Sequence, residues 1–276
     1  MSIIAKPVAS SRAVVLRAWP AGETSVVASL LCESHGYVRV IAKGARGARS
    51  ALRPLVQPGR LVDVEFGLQP DRELQYLKGG QLSLDPLLVT NSLERTAYLL
   101  SAMEIVDRCR PSDAGEARLF ELCRRFVEVL SSTGVGVEAP LFYAFELALL
   151  RVQGTEPVLD RCVVCDDDLG EPRVGLRFAV DGGGVMCGRC AAGAEHTEAR
   201  PLSADLLTRM KALAGQSATI EALSRRSSRE MGILLHLFLS YHLPGYRLPA
   251  SLDLLRAGRA ADIGAPEPAP PKDESS

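Results

Sequence analysis

The sequence predicts an α+β, multidomain fold: a small N-terminal β-barrel, then an α-helical domain carrying a four-cysteine zinc-knuckle insertion. Three observations predict it. Five short runs rich in Val, Ile and Leu, punctuated by Gly and Pro, fill the first eighty or so residues. Apolar spacing of three and four residues takes over after about Asn91. Two C-x-x-C pairs interrupt the helical part. The 276 residues suffice for one large domain or two to three small ones. The boundaries read as barrel over 1–83, helical domain over 84–158 and 199–260, cysteine insertion over 159–198, and a disordered Pro-rich tail over 261–276.

Within the first module, strands are expected at 12–18, 25–32, 37–42, 61–66 and 74–82. Leu61, Asp63 and Glu65 alternate with Val62, Val64 and Phe66, the partial period of two that a half-buried strand shows. Pro20, Gly22, Gly36, Pro58-Gly59 and Gly67 stand where turns are needed. Helices are expected over 92–108, 114–131, 140–152, 204–214 and 228–242. Asn91 is placed to cap the first, with Glu94 completing a capping box. Leu119, Leu122, Cys123, Phe126 and Leu130 make one buried face of the second.

Charge is unevenly divided. The net charge of −1 gives no global attraction to nucleic acid or to anionic lipid, yet residues 1–80 hold 11 basic and 6 acidic side chains. Between Glu33 and Asp63 there is no acid, while Arg39, Lys43, Arg46, Arg49, Arg53 and Arg60 all lie there. A charge run is commonly a solvated loop that binds nothing. Here it lacks acidic partners and interleaves with Gly44, Gly47 and Ala48, so backbone can approach a phosphate chain. It also belongs to a five-strand module of the kind that tracks single strands. The module's aromatics are few: Trp19, Tyr37, Phe66 and Tyr76, of which one or two should be core. Phosphate contacts would then dominate, with strong salt dependence.

Cys162-x-x-Cys165 and Cys187-x-x-Cys190 are separated by 21 residues. Each pair lets two thiolates close on one tetrahedral ion from a tight turn, and a linker of ~15–20 residues lets two such knuckles face each other. Gly182-Gly183-Gly184 and Gly188 supply backbone freedom, and the run Arg177-Phe178-Ala179-Val180 reads as a hairpin strand. The expectation is one structural Zn²⁺. Four cysteines fill the tetrahedron and leave no position for a reacting water. His196-Thr197-Glu198 has the H-x-E of zinc deaminases but follows the second pair rather than preceding a single one. A thioredoxin-like role would need the motif at a strand end in a βαβ unit, whereas turn residues surround it here. Cys32, Cys109 and Cys123 read as buried thiols.

Other chemistry finds no signature: there is no G-x-x-x-x-G-K-[ST], G-x-S-x-G or H-E-x-x-H. The histidines are scattered, and His236 reads as a core residue of an apolar helix. The expectation is that the protein is not an enzyme. No apolar run approaches the ~18–20 residues of a membrane span, and the first ten residues lack the ~7–15-residue apolar core of a secretory signal. The expected compartment is the cytoplasm.

Together the residues resemble a known family. Val14-Val15-Leu16-Arg17, then Gly22-Glu23-Thr24-Ser25, then the run from His35 to Arg46 (H-G-Y-V-R-V-I-A-K-G-A-R) are similar to the opening of the bacterial recombination mediator family RecO. Phe142-Tyr143-Ala144-Phe145-Glu146-Leu147, Leu159-Asp160-Arg161-Cys162, Cys187-Gly188-Arg189-Cys190 and Tyr241-His242-Leu243 extend the resemblance over about residues 10–257. It implies an N-terminal OB-fold barrel, a helical body with a zinc knuckle, and no making or breaking of covalent bonds. It further implies binding of single- and double-stranded DNA in the nucleoid, annealing of complementary strands, and cooperation with RecR to load RecA onto strands coated by SSB.

Carried over by position, the resemblance gives DNA contact to Arg39, Lys43, Arg46, Arg49 and Arg53, and metal ligation to Cys162, Cys165, Cys187 and Cys190. Arg124, Arg125 and Arg151 are basic candidates for docking the SSB C-terminal tail. The chain departs from the family pattern at His242-Leu243-Pro244-Gly245, where a Gly-Arg or Gly-Lys pair is expected.

Two rival readings stay open at this stage. A zinc-stabilised interaction scaffold without direct DNA binding would be indifferent to charge reversal at Lys43, Arg46 and Arg49. A zinc-dependent hydrolase or deaminase would need one of the four cysteines free of metal, and cobalt substitution would then show three thiolate ligands.

Overall fold

The computed structural model describes residues 7–88, 92–110, 115–169, 174–193, 199–215 and 220–255. Asn91, the His196 to Glu198 motif and the Pro-rich tail from 261 lie outside them.

The first five strands are β1 (Val8–Ala21), β2 (Ser25–Cys32), β3 (Gly36–Ala42), β4 (Leu61–Gly67) and β5 (Leu74–Leu84). They form a closed barrel in the order β1-β2-β3-β5-β4, antiparallel except for the β3–β5 pair. This is the OB-fold arrangement. β1 can close the barrel because it is long: residues 8–14 pair with β4 and residues 13–21 with β2. A bulge between Val15 and Arg17 bends it where the two pairings meet. Small side chains line much of the interior, with Ala13, Ala28 and Ala42 packed around Val15, Leu30, Val40, Val64 and Phe66. A 3₁₀ turn, Arg53–Val56, starts at Pro54 and buries Leu55 and Val56 in the same core.

The helical body comprises α1 (Leu93–Arg108), α2 (Glu116–Ser132), α3 (Glu138–Val152), α5 (Ala204–Ala214) and α6 (Arg225–His242); a short α4 (Gly188–Gly193) belongs to the insertion. Ser92, rather than Asn91, caps α1, its hydroxyl accepting from Arg95 N. With Ser92 as the cap, the N3 position falls to Arg95 and Glu94 stands one residue short of it. Helix α6 begins three residues earlier than the apolar pattern suggests, since Ser224 accepts from Ser227 N and supplies the cap. α3 is apolar nearly all round and packs against α1, α2, α5 and α6, as a central core helix must.

Barrel and body share one core. Val14, Leu16, Leu31 and Leu61 point out of the barrel into the same cluster as Leu99, Met103 and Val106 of α1. That double-sided burial explains why β1 and β2 read as continuous apolar runs rather than clean alternation. Polar contacts fix the seam: Ser29 donates to Asp107 Oδ1 at 2.7 Å, and Tyr37 donates to Val106 O at 3.0 Å. Gly36 turns β2 into β3 at φ +59°, and a Cβ there would lie 1.7 Å from the Glu116 carboxylate at the start of α2. Only glycine fits.

Inside the body, Arg95 and Glu138 are wholly buried with their charged groups 3.5 Å apart. Arg95 Nη2 also donates to the carbonyls of Thr133 and Gly134, and Glu138 Oε2 accepts from Gly136 N. The pair thus ties the start of α1 to the α2–α3 connection.

Candidate nucleic-acid interface and metal centre

On the barrel's outer face, strand register assembles two neighbouring rows. Directly opposed residues of paired strands project from the same side of a sheet. Trp19 opposes Val27, Val27 opposes Ile41, and Ile41 opposes Tyr76, so these four cross β1, β2, β3 and β5 in one line. Arg17, Ser29, Arg39 and Leu74 make the adjacent line by the same pairings. The bulge in β1 makes this possible. It turns both Leu16 and Arg17 outward, the first into the seam with α1 and the second to solvent.

Cations surround the aromatic line. Arg17 Cζ lies 5.6 Å from the Trp19 ring centroid and Lys43 Nζ 4.9 Å from that of Tyr76. Arg39 is exposed, with only a distant 3.9 Å contact to the solvated Glu73. Arg46 Nη1 donates to Gly22 O at 2.8 Å and its N–H donates to Thr24 O, pinning the β3–β4 connection against the β1–β2 turn. Arg49 and Arg53 are exposed further along that connection, and among the described residues no hydrogen bond or ion pair joins them to the line. Arg60 is structural: it binds Asp85 at 2.5 Å and Pro54 O at 3.0 Å.

The charge run therefore locates Arg39, Lys43 and Arg46 at the face, but not Arg17, Trp19 or Tyr76. Those three come from β1 and β5, and only the barrel's closure brings them beside β3. Of the module's four aromatics, Phe66 is core and Tyr37 packs on α1, while Trp19 and Tyr76 are each 36% exposed.

The three arginines of the helical body differ in state. Arg124 is clamped by Glu121 and Glu128, both at 2.5 Å, and Arg151 pairs with Glu156 and donates to Ala214 O. Arg125 instead stands on the rim of a groove of about 590 Å³ between α2, α3 and α5, floored by Phe126, Leu141, Phe145 and Leu213.

The insertion folds as a small antiparallel sheet, β7-β6-β8, made of β6 (Arg177–Ala179), β7 (Gly184–Met186) and β8 (Ala199–Pro201). The sheet thus runs three residues past 198, and Phe178, Val180 and Val185 join the core of the helices. His242 Nε2 donates to Val180 O at 2.6 Å, so the end of α6 is fastened to this sheet. Beyond it, Gly245 at φ +82° passes close to Arg108 O, and the Pro244-Gly245 turn lies against the end of α1. Gly184 is required because a Cβ there would sit 2.2 Å from Val158 O.

Cys162 and Cys165 lie in the turn before this sheet, Cys187 follows β7, and Cys190 is in α4. Their sulfurs all lie within 4.8 Å of one another, Cys165 and Cys187 at 3.9 Å. Metal–sulfur bonds of ~2.3 Å give tetrahedral edges of roughly 3.8 Å, so the donor set fits one metal ion. Burial opposes ionisation of Cys162, but the N–H groups of Cys187, Cys165 and Val164 aimed at its sulfur prevail and bring its thiol down to about 6. Hydrogen bonding to the Cys187 and Cys165 sulfurs favours the protonated form of Cys190 and pushes its thiol up to about 12. The surroundings are knuckle turns on an antiparallel sheet, not a βαβ unit. Burial raises the thiols of Cys32 and Cys109 to about 12 and 11, and Cys123 is buried too; these three are inert.

A closed OB barrel with a cationic outer face, fused through one core to a helical body in which four thiols could hold a metal ion, defines a narrow class of two-part OB-fold proteins. Known proteins bear this out. Residues 7–84 match the family model for the recombination protein O N terminus, and residues 90–252 that for its C terminus. A DNA repair protein RecO of Chlorobaculum parvum is 31% identical over 242 residues, covering 86% of this chain and 93% of the relative. The RecO of Anaeromyxobacter sp. strain K is 32% identical over 241 residues, 86% and 92% of the two chains. That of Pelotomaculum thermopropionicum is 30% identical over 233 residues, 84% and 88%. The chain belongs to the RecO family, and its role lies in recombinational DNA repair. Among the described residues, no helix is long and apolar enough to cross a membrane.

Proposed function

We propose that this chain is a non-enzymatic recombination mediator. It binds single- and double-stranded DNA on the barrel, anneals complementary strands and, with RecR, loads RecA onto SSB-coated single strands in the nucleoid. The observation that carries the reading is the acid-free interval between Glu33 and Asp63, whose Arg39, Lys43 and Arg46 share the outer barrel surface with Arg17. Cations there neutralise two backbones at once, and base pairing supplies the rest of the annealing free energy. The four cysteines hold one structural Zn²⁺: thiolates suit it, and a filled tetrahedron leaves no site for a reacting water. The acidic, apolar C-terminal tail of SSB docks in the groove between α2, α3 and α5. Arg125 meets its carboxylates, because Arg124 and Arg151 are already paired with glutamates.

Fluorescence anisotropy of a labelled single strand across a salt series tests the DNA site. Six phosphate contacts predict a log–log slope near −4, at roughly −0.7 per contact for single strands, and Lys43→Glu with Arg46→Glu and Arg49→Glu should remove about half of it. Equal affinity and slope in wild type and triple variant would return the chain to the scaffold reading.

A further inference from the structure

The line Trp19–Val27–Ile41–Tyr76 does no work in a site that holds only phosphates. Two large rings, each 36% exposed, stand at the ends of an apolar row whose middle is the buried Val27 and the half-buried Ile41. Core demand does not place them there, since both project from the outer face, away from the cluster that fills the barrel. Tyr76 has Gly67 opposite it on β4, so no side chain from that strand covers the ring. Each ring has its own cation lying over it, Arg17 over Trp19 and Lys43 over Tyr76, and Arg39 lies in the next row between them.

We infer that this line is a base-stacking strip, by which the barrel distinguishes unpaired bases from duplex. The inference rests on the reading of the barrel as the DNA site and adds to it the part of the DNA that is recognised. Three strand spacings of about 4.8 Å put Trp19 and Tyr76 about 14 Å apart along the curved surface of the closed barrel and nearer in a straight line, a path that spans a few nucleotides of an extended strand. A base laid on either ring takes the place of the cation over it and leaves that cation to pair with the base's own phosphate. The bases of a duplex are stacked on one another and present only edges and phosphates to such a surface, so duplex gains from the cations alone. Every base has a π face, so the strip favours single strands without choosing sequence. For an annealing protein this has a direct consequence: strands are held best before they pair and less well afterwards, so the product is released.

Trp19 is the one tryptophan of the chain, so its emission reports on the strip without a label. The full-length protein is titrated with an oligo(dT) 15-mer, an abasic strand of equal length and a 15-base-pair duplex, following tryptophan emission and anisotropy together. The expected result is quenching by oligo(dT) and none by the abasic strand or the duplex. Trp19→Ala and Tyr76→Ala should each weaken oligo(dT) binding by about tenfold, within the range for one stacked base, and leave duplex affinity within about twofold. Trp19→Phe should restore most of the loss. Quenching by the abasic strand, no quenching at all, or equal loss on single strand and duplex overturns the stacking strip. Arg39→Glu with Lys43→Glu separates the two failures. If these charge reversals abolish binding while the aromatic variants are silent, only the strip falls; if they too are silent, the DNA site is not on this face and both readings fall.

Discussion

Removing the carboxylate of Glu138 should be among the most damaging single changes to this fold that leave every site residue in place. The Arg95 side chain is 0% exposed and that of Glu138 1%, and the Glu138 carboxylate is 3.5 Å from Arg95 Nη2. Arg95 Nε and Nη1 have no hydrogen-bond partner among the described residues, so its charge depends on Glu138 and on two carbonyls that both engage Nη2. At 3.5 Å and an effective dielectric of about 20, the attraction is about 5 kcal/mol. Glu138→Ala strands the guanidinium in the core, and losses of about 3–5 kcal/mol follow when one member of a buried pair is removed. For a chain of this size that lowers Tm by roughly 6–20 °C. Replacing both partners by apolar groups, Arg95→Met with Glu138→Leu, removes the stranded charge and should cost less than Glu138→Ala alone, although the Thr133 and Gly134 carbonyls lose their donor. Urea unfolding followed by far-ultraviolet circular dichroism measures all three proteins. A loss below about 1 kcal/mol in Glu138→Ala, or a double variant less stable than that single one, would refute the reasoning.

Glu146 is buried in α3, and burial raises its carboxyl well above the ordinary range. A raised acid favours the folded state fully below the unfolded value near 4.5, and that contribution is lost as pH rises toward the folded value. Glu146→Gln should therefore stabilise the protein at pH 8 and leave it unchanged near pH 4, as thermal melts at the two pH values would show; a gain at acid pH only would contradict this. Cys162→Ser should lower bound metal from one ion per chain to a small fraction by elemental analysis. It should also lower Tm, because Cys162 is 1% exposed in the core shared with α5 and α6. Full retention of metal would exclude it as a ligand.

Local signals carried much of this architecture. Alternation and turn residues placed all five barrel strands, and the two C-x-x-C pairs with their glycines located the four sulfurs that converge within 4.8 Å. Features that depend on what meets what were not legible. β1 extends to Val8 because β4 pairs with its first half, and no local pattern announces that partner. β8 is three residues long and exists only as the far neighbour of β6. Trp19 and Tyr76 are 57 positions apart in the chain and share a row only through the parallel pairing of β3 with β5. The pairing of Arg124, by contrast, was written in the spacing: Glu121 and Glu128 stand three before and four after it, the positions that meet on a helix. Counting arginines on the helices without their carboxylate neighbours overstates the free charge there.

The seam between barrel and body sets how the molecule can be taken apart. Val14, Leu16, Leu31 and Leu61 are covered only because α1 and its neighbours lie on them. A fragment ending near residue 84 would offer those side chains, on adjacent strands, to water and to other copies of itself, so the barrel is not a portable cassette. The same seam denies the molecule a hinge. A partner seated on the helices would then be held at a fixed distance and angle from a strand on the proposed Trp19–Tyr76 strip. The chain is thus built less as two beads on a string than as one continuous body.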